Sequence, residues 1–423
     1  MKKPQVTIVG GGMITHDQIL PSIYEMQRLG LLGEITICAD RGRPLKALRK
    51  SGVLREAFPD STFRAFPGLS GDLDQPQPDL FREVVGSMPP RNIVVVAVPD
   101  QLHFDVIMTA LRADQHVCTV KPLVLKHQEA VEIEREAFAR GLVVGIEYHK
   151  RFDTRSLMAR RLYREGRFGE FRLGTACLLE KWYYRHSNFQ NWFATENSDA
   201  FTYVGCHYVD LVHFVTGLLP ASISLYGIRD RFPNGQEGFL WTDARVLWTN
   251  GACLNVQNAL GFPDDAPGSN TQGLTMYCSG GDKGAWLEHA DQYRGLKYCY
   301  TRKADAPGAT IYAEPSPDYF QYADLGGKGM VPVGYGYRSV DFILRNILRV
   351  ESKSAGLPDT EALARRQELL REIDAAGIMA TPANSRYNEL VLEAGRLSIL
   401  NGGCEVVIDY GEKAGVRLKE GSR

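Results

Sequence analysis

Three side chains in this sequence have the types and settings for proton transfer at an oxygen: Lys121, Tyr203 and His207. Lys121 closes the run His116-Val-Cys-Thr-Val-Lys-Pro122, which reads as a short buried strand stopped by proline. Burying an ammonium is costly. A lysine there either snorkels from the strand end or serves the carboxyl edge of the sheet, where open α/β sheets bind ligands. At that edge it would stabilise negative charge developing on a substrate oxygen. Tyr203 and His207 are four residues apart within helical apolar spacing (Val204, Tyr208, Leu211, Val212, Val215), so they share a face and can serve one ligand. Imidazole titrates near neutrality, which makes His207 the natural acid–base group. A phenol is a poor base until a neighbouring ammonium lowers its proton affinity, which is the setting proposed for Tyr203. Asp210, three beyond His207, either orients the imidazole or ends a polar stripe.

The elements that must position these groups begin with Val6-Thr-Ile-Val9, a buried strand, followed by Gly10-Gly11-Gly12 and a helical pattern opening at Met13-Ile14-Thr15. This is G-x-G-x-x-T between strand and helix. Gly10 permits the tight turn, and Gly12, with Met13 and Ile14 behind it, lets backbone N–H groups approach a pyrophosphate. A second strand, 34–39, ends at Asp40-Arg41. An acidic residue there bonds the ribose hydroxyls and favours NAD over NADP, and Arg41 can stack on adenine. The competing reading is that Asp40 caps a helix over 44–50. The apolar run 92–98 is a buried parallel strand; it ends at Pro99-Asp-Gln-Leu-His103, and a helix follows. A strand over 142–146 closes the domain. Alternating strands and helices give a parallel, doubly wound Rossmann domain over 1–148.

From Tyr148-His-Lys-Arg151-Phe152 the pattern changes. An arginine-rich helix over 154–165 leads to a strand and then to an aromatic, basic loop containing Trp182 and Trp192. Such rings pack on the apolar faces of sugars. Strands with turn-like breaks run from 221 to 301, the last over 298–301. The fold class is α/β: the Rossmann domain, an α+β domain over 149–336, and a helical segment over 337–423.

Composition excludes several classes. The chain has 423 residues, 44% hydrophobic and 23% charged, with a formal net charge of −1, so bulk charge offers nothing to nucleic acid or an anionic membrane. Its eight cysteines are scattered, which fits reduced thiols and no metal site. No signal peptide or membrane span is evident, and a cytoplasmic location is expected.

Taken together, Gly10-x-Gly12, Pro99-Asp100-x-x-His103, Lys121-Pro122, Arg151-Phe152 and Gly205-x-His207-x-x-Asp210 resemble the Gfo/Idh/MocA oxidoreductases. The resemblance implies an open, mostly antiparallel second sheet whose exposed face makes a homodimer or homotetramer. It also implies that Lys121 lies beside the nicotinamide in a cis Lys-Pro turn, and that Pro99 and His103 line the coenzyme. Tyr148, Arg151, Trp182, Trp192 and Asp210 would meet a sugar or polyol. Two departures stand out: Val120 replaces the glutamate of the family's Glu-Lys-Pro triplet, and Tyr203 replaces an aspartate. The expected activity is hydride transfer between NAD and a secondary alcohol. The alternatives are a glycosidase or lyase that oxidises its sugar transiently, and a non-catalytic coenzyme-binding sensor.

Overall fold

The computed structural model describes residues 3–186, 189–266, 270–290, 300–302, 310–312 and 318–420. The chain divides into two compact units, Met1–His149 with Tyr322–Arg386, and Lys150–Gln321 with Tyr387–Arg423. Residues 337–386 fall in the first unit and 387–423 in the second.

In the first unit six parallel strands form one sheet: β1 (Val6–Val9), β2 (Ile35–Cys38), β3 (Arg64–Phe66), β4 (Ile93–Val96), β5 (His116–Val120) and β6 (Val144–Glu147). Their spatial order is β3-β2-β1-β4-β5-β6. The chain moves outward on one side of β1 and then returns to β4 on the other, which opens a crevice at their carboxyl ends. The central strands β1 and β4 are buried at every residue, so they read as unbroken apolar runs. Helices Tyr335–Ser354 and Asp359–Ala376 join this core through Val340, Ile343, Leu344, Ile347, Leu369 and Ile373. Their apolar positions recur at helical spacing, which buries one stripe of each.

The second unit is built on an eight-stranded sheet. Its first six strands in sequence are β7 (Glu170–Lys181), β8 (Pro220–Arg231), β9 (Glu237–Trp248), β10 (Cys253–Phe262), β11 (Asn270–Gly280) and β12 (Lys283–Ala290). The order is β12-β11-β7-β10-β9-β8, continued by Val406–Asp409 and Gly415–Leu418. The β7–β10 pair is parallel and its neighbours are antiparallel. Buried and exposed residues alternate along β7 and β9, as expected when one face packs and the other meets solvent. Helix Tyr387–Leu400 packs on β8. Of the strand expected over 298–301, residues 298 and 299 lie outside the described residues; Tyr300–Arg302 is a strand. Among the described residues no helix is long and apolar enough to cross a membrane.

Candidate active site

The glycine loop after β1 is built for a dinucleotide. Gly10 has φ +114°, and a Cβ there would lie 2.0 Å from the Ala97 carbonyl oxygen, so only glycine fits. A Cβ at Gly12 would meet nothing within 4 Å, leaving open space beside the helix N-terminus formed by Met13 and Ile14. Its unsatisfied N–H groups and dipole suit a pyrophosphate. Thr15, standing where the third glycine is usual, is buried, and its hydroxyl donates to the Gly10 carbonyl (2.8 Å), closing the turn from behind. A π-turn, Thr15–Ile19, then absorbs the entry to Leu20–Arg28, where Pro21 sits in the first turn.

Asp40 is exposed just past β2 and paired with Arg41 (3.6 Å). The helix that follows is Gly42–Lys50, with Arg41 at its N-cap and no side-chain cap bond. Asp40 is therefore not a helix cap, and its carboxylate is exposed at the carboxyl end of β2.

Lys121 directly follows β5 and is half-buried, and the Lys121–Pro122 peptide is cis. His103 holds this turn. Its Nδ1 lies 2.7 Å from the Pro122 carbonyl and its Nε2 3.0 Å from the Val98 carbonyl, so one ring spans the exits of β5 and β4. His103, expected to line the coenzyme, is fully buried and braces this turn from behind. Val98 and Pro99 are half-buried on the edge itself. Tyr148 is buried directly after β6.

Sequence reasoning missed Glu147, the last residue of β6. It is 2% exposed, and it accepts from Gln18 Nε2 (2.8 Å), the Ser339 hydroxyl (2.5 Å) and His149 Nδ1 (3.2 Å). His149 also stacks on Tyr335. A signal was present in the sequence: Val144-Gly-Ile-Glu147 is an apolar strand ending in a carboxylate at the ligand edge.

In the second unit Tyr203 and His207 sit on one continuous helical stretch, a π-turn Phe201–Gly205 running into helix Cys206–Thr216. Asp199 starts it. Its carboxylate accepts from the Thr202 N–H (2.8 Å) and hydroxyl (2.9 Å) and pairs with Arg396 (3.2 Å). This helix start was also missed; an acidic residue three before a helical threonine was its signal. Tyr203 is half-buried among aromatic rings, edge-on to Phe189 (4.7 Å) and Trp192 (6.1 Å). Trp192 and Tyr203 are thus brought together. His207 is 5% exposed.

Trp182 is 40% exposed, with the Arg185 guanidinium 3.8 Å from its ring centre. Arg151 and Asp210, expected to meet substrate, form a buried pair. Each is 2% exposed or less, and they bond each other through Nε (2.8 Å) and Nη2 (2.6 Å). The pair ties the segment after β6 to the Cys206–Thr216 helix. Among the described residues no group of three or more His, Cys, Asp or Glu could hold a metal ion.

Comparison with known proteins agrees with this geometry. Residues 5–148 match the model of the Gfo/Idh/MocA oxidoreductase family, NAD-binding Rossmann fold. The chain is 27% identical over 84 residues to scyllo-inositol 2-dehydrogenase (NADP(+)) IolW of Bacillus subtilis, covering 20% of this chain and 24% of that protein. It is 25% identical over 134 residues to the 2,7-anhydro-N-acetylneuraminate hydratase of Escherichia coli, covering 32% and 36%. The chain spans about a fifth of the length of other curated relatives it matches (21%). The whole fold is similar to myo-inositol 2-dehydrogenase from Lactobacillus plantarum, with a TM-score of 0.62 at 13% identity over 96% of this chain and 100% of that one. The domain that carries Gly10, Gly12 and Lys121 is thus a Gfo/Idh/MocA-type NAD-binding Rossmann domain.

Proposed function

We propose that the protein transfers a hydride between NAD and a secondary alcohol or ketone of a polyol, sugar or sugar derivative. The observation that carries this reading is the braced turn at the end of β5: a lysine at the ligand edge of a dinucleotide sheet, aimed by His103 from behind. Bound nicotinamide would supply the hydride acceptor or donor. Gly10, Gly12, Met13 and Ile14 would hold its pyrophosphate, and Asp40 its adenosine ribose, which favours NAD over NADP. Lys121 would donate to the substrate oxygen and stabilise the alkoxide as the C–H bond breaks. His207 would take the hydroxyl proton in oxidation and return it in reduction. Tyr203 would share that transfer or orient the substrate together with Trp192. The inositol dehydrogenases among the relatives support a polyol substrate.

One specific finding favours a second reading. The hydratase relative aligns over more of this chain than the inositol dehydrogenase relative does. The same groups could oxidise a sugar transiently, eliminate or add across the carbon beside the ketone, and reduce it again. A panel of inositols, hexoses and sugar acids, each with NAD and NADP, separates the two. A dehydrogenase accumulates reduced coenzyme in step with product. An internal cycle yields product with no net change in nicotinamide absorbance. Failure of any substrate to react, with both coenzymes bound, would overturn both readings and leave a sensor.

A further inference from the structure

We propose that Glu147 sets the redox preference of the coenzyme site, holding the oxidised, cationic nicotinamide more tightly than the reduced, neutral one. This rests on the reading that the first unit binds NAD.

The placement follows from the sheet. The glycine loop leaves β1 and Asp40 follows β2, so the pyrophosphate and adenosine take those ends. The nicotinamide half is left with the ends of β4, β5 and β6. Glu147 ends β6 in direct register with Val120, the residue before Lys121. Neighbouring strands lie about 4.8 Å apart, and residues paired across them point to the same face. The carboxylate that this chain lacks at position 120 is therefore present one strand over, on the same face and at the same edge.

The charge state follows from its partners. Gln18 donates to one oxygen, the Ser339 hydroxyl lies 2.5 Å from the same oxygen and His149 Nδ1 lies 3.2 Å from the other, a setting that suits a carboxylate. These donors come from the first helix, the Tyr335–Ser354 helix and the segment after β6, so the group is fixed from three sides. At 2% exposure it is poorly screened, and its field reaches across the edge. Lys121 brings an ammonium to the edge where a cationic ring must sit; Glu147 offsets that repulsion.

The test is the dissociation constant for NAD+ and for NADH, measured by calorimetry with no substrate present. Glu147→Gln should weaken NAD+ relative to NADH on the order of tenfold, the size expected for losing one poorly screened unit charge near the ring. Ser339→Ala, which removes a donor and keeps the charge, should leave the ratio unchanged. The double variant Val120→Glu/Glu147→Gln should restore it. Equal weakening of both coenzymes by Glu147→Gln would assign Glu147 a packing role and overturn the inference while the coenzyme reading stands. If Glu147→Gln does not fold, Val120→Glu alone must shift the ratio toward NAD+; an unchanged ratio overturns the inference. Failure of the unaltered protein to bind either coenzyme would overturn the coenzyme reading, and this inference with it.

Discussion

Asp210 takes both arms of the Arg151 fork, at 2.8 and 2.6 Å, and accepts as well from the Tyr387 hydroxyl (2.9 Å) and Asn388 Nδ2 (3.0 Å). One buried carboxylate thus joins the segment after β6, the helix bearing His207 and helix Tyr387–Leu400. All three belong to the second unit. A bidentate pair is directional, so it fixes the rotation of the His207 helix as well as its position.

Removing one partner leaves the other charge buried. Asp210→Ala should therefore destabilise the second unit by about 3 to 5 kcal/mol. Thermal unfolding would read this as an early transition. NADH affinity, which belongs to the first unit, should stay within twofold. If melting is unchanged while a substrate KM rises sharply, Asp210 meets substrate after all.

The contrast with Gly10 shows what a sequence makes legible. The glycine loop, Thr15 and Lys121-Pro122 could be read because each constraint is local: a turn needs glycine, and a strand ends at proline. Arg151 and Asp210 are 59 residues apart, and nothing in either neighbourhood says that the two consume each other. His103 was recognised as part of a motif, but its burial was not, since that depends on two strand exits meeting above it. Glu147 went unread because its importance comes from register with Val120, a tertiary fact. The helices over 335–376 were visible as helices; their membership of the first unit follows from core contacts the periodicity cannot name.

His103 and Lys121 give a paired prediction. Lys121→Met should lower kcat by about a hundredfold to a thousandfold, the usual cost of losing a charge-stabilising donor. Its affinity for NADH should be retained. His103→Phe keeps the ring volume but releases both carbonyls, and a misaimed lysine should cost on the order of a hundredfold in kcat. Steady-state kinetics with the best substrate of the panel checks both. Near-normal kcat in Lys121→Met would remove it from the chemistry.

Acid should loosen both units. Burial holds the His213 imidazole down at about 4, with Nδ1 donating to the Leu218 carbonyl. Burial likewise lowers His116, whose Nδ1 accepts the Val143 N–H and so must stay unprotonated. Both groups are neutral in the fold. The unfolded chain takes up protons first, below about pH 6.5, so stability is full above that value and falls as pH drops toward 4. His213 alone accounts for on the order of 3 kcal/mol across this window. Denaturant unfolding at a series of pH values should show the loss, and His213→Gln should flatten it. An unchanged slope in that variant would assign the acid sensitivity elsewhere.

The open sheet face carries the last prediction. Trp286 on β12 is in register with Tyr277 on β11, and Tyr277 with Leu173 on β7. The three are 68, 48 and 49% exposed, so an apolar row crosses three strands on the side away from the core. Isolated exposed apolar residues are ordinary, but an aligned row of large ones marks an association surface. The resemblance assigns this face to self-association, and a second copy presenting the same row would cover it by two-fold symmetry. Trp286→Arg with Tyr277→Arg would set like charges against each other across such a contact. Sedimentation should then show the monomer mass, where the unaltered protein is expected to sediment as a dimer or tetramer. Melting of the isolated variant should change little, since neither side chain is in the core. An assembly that survives both substitutions would place the interface on another surface.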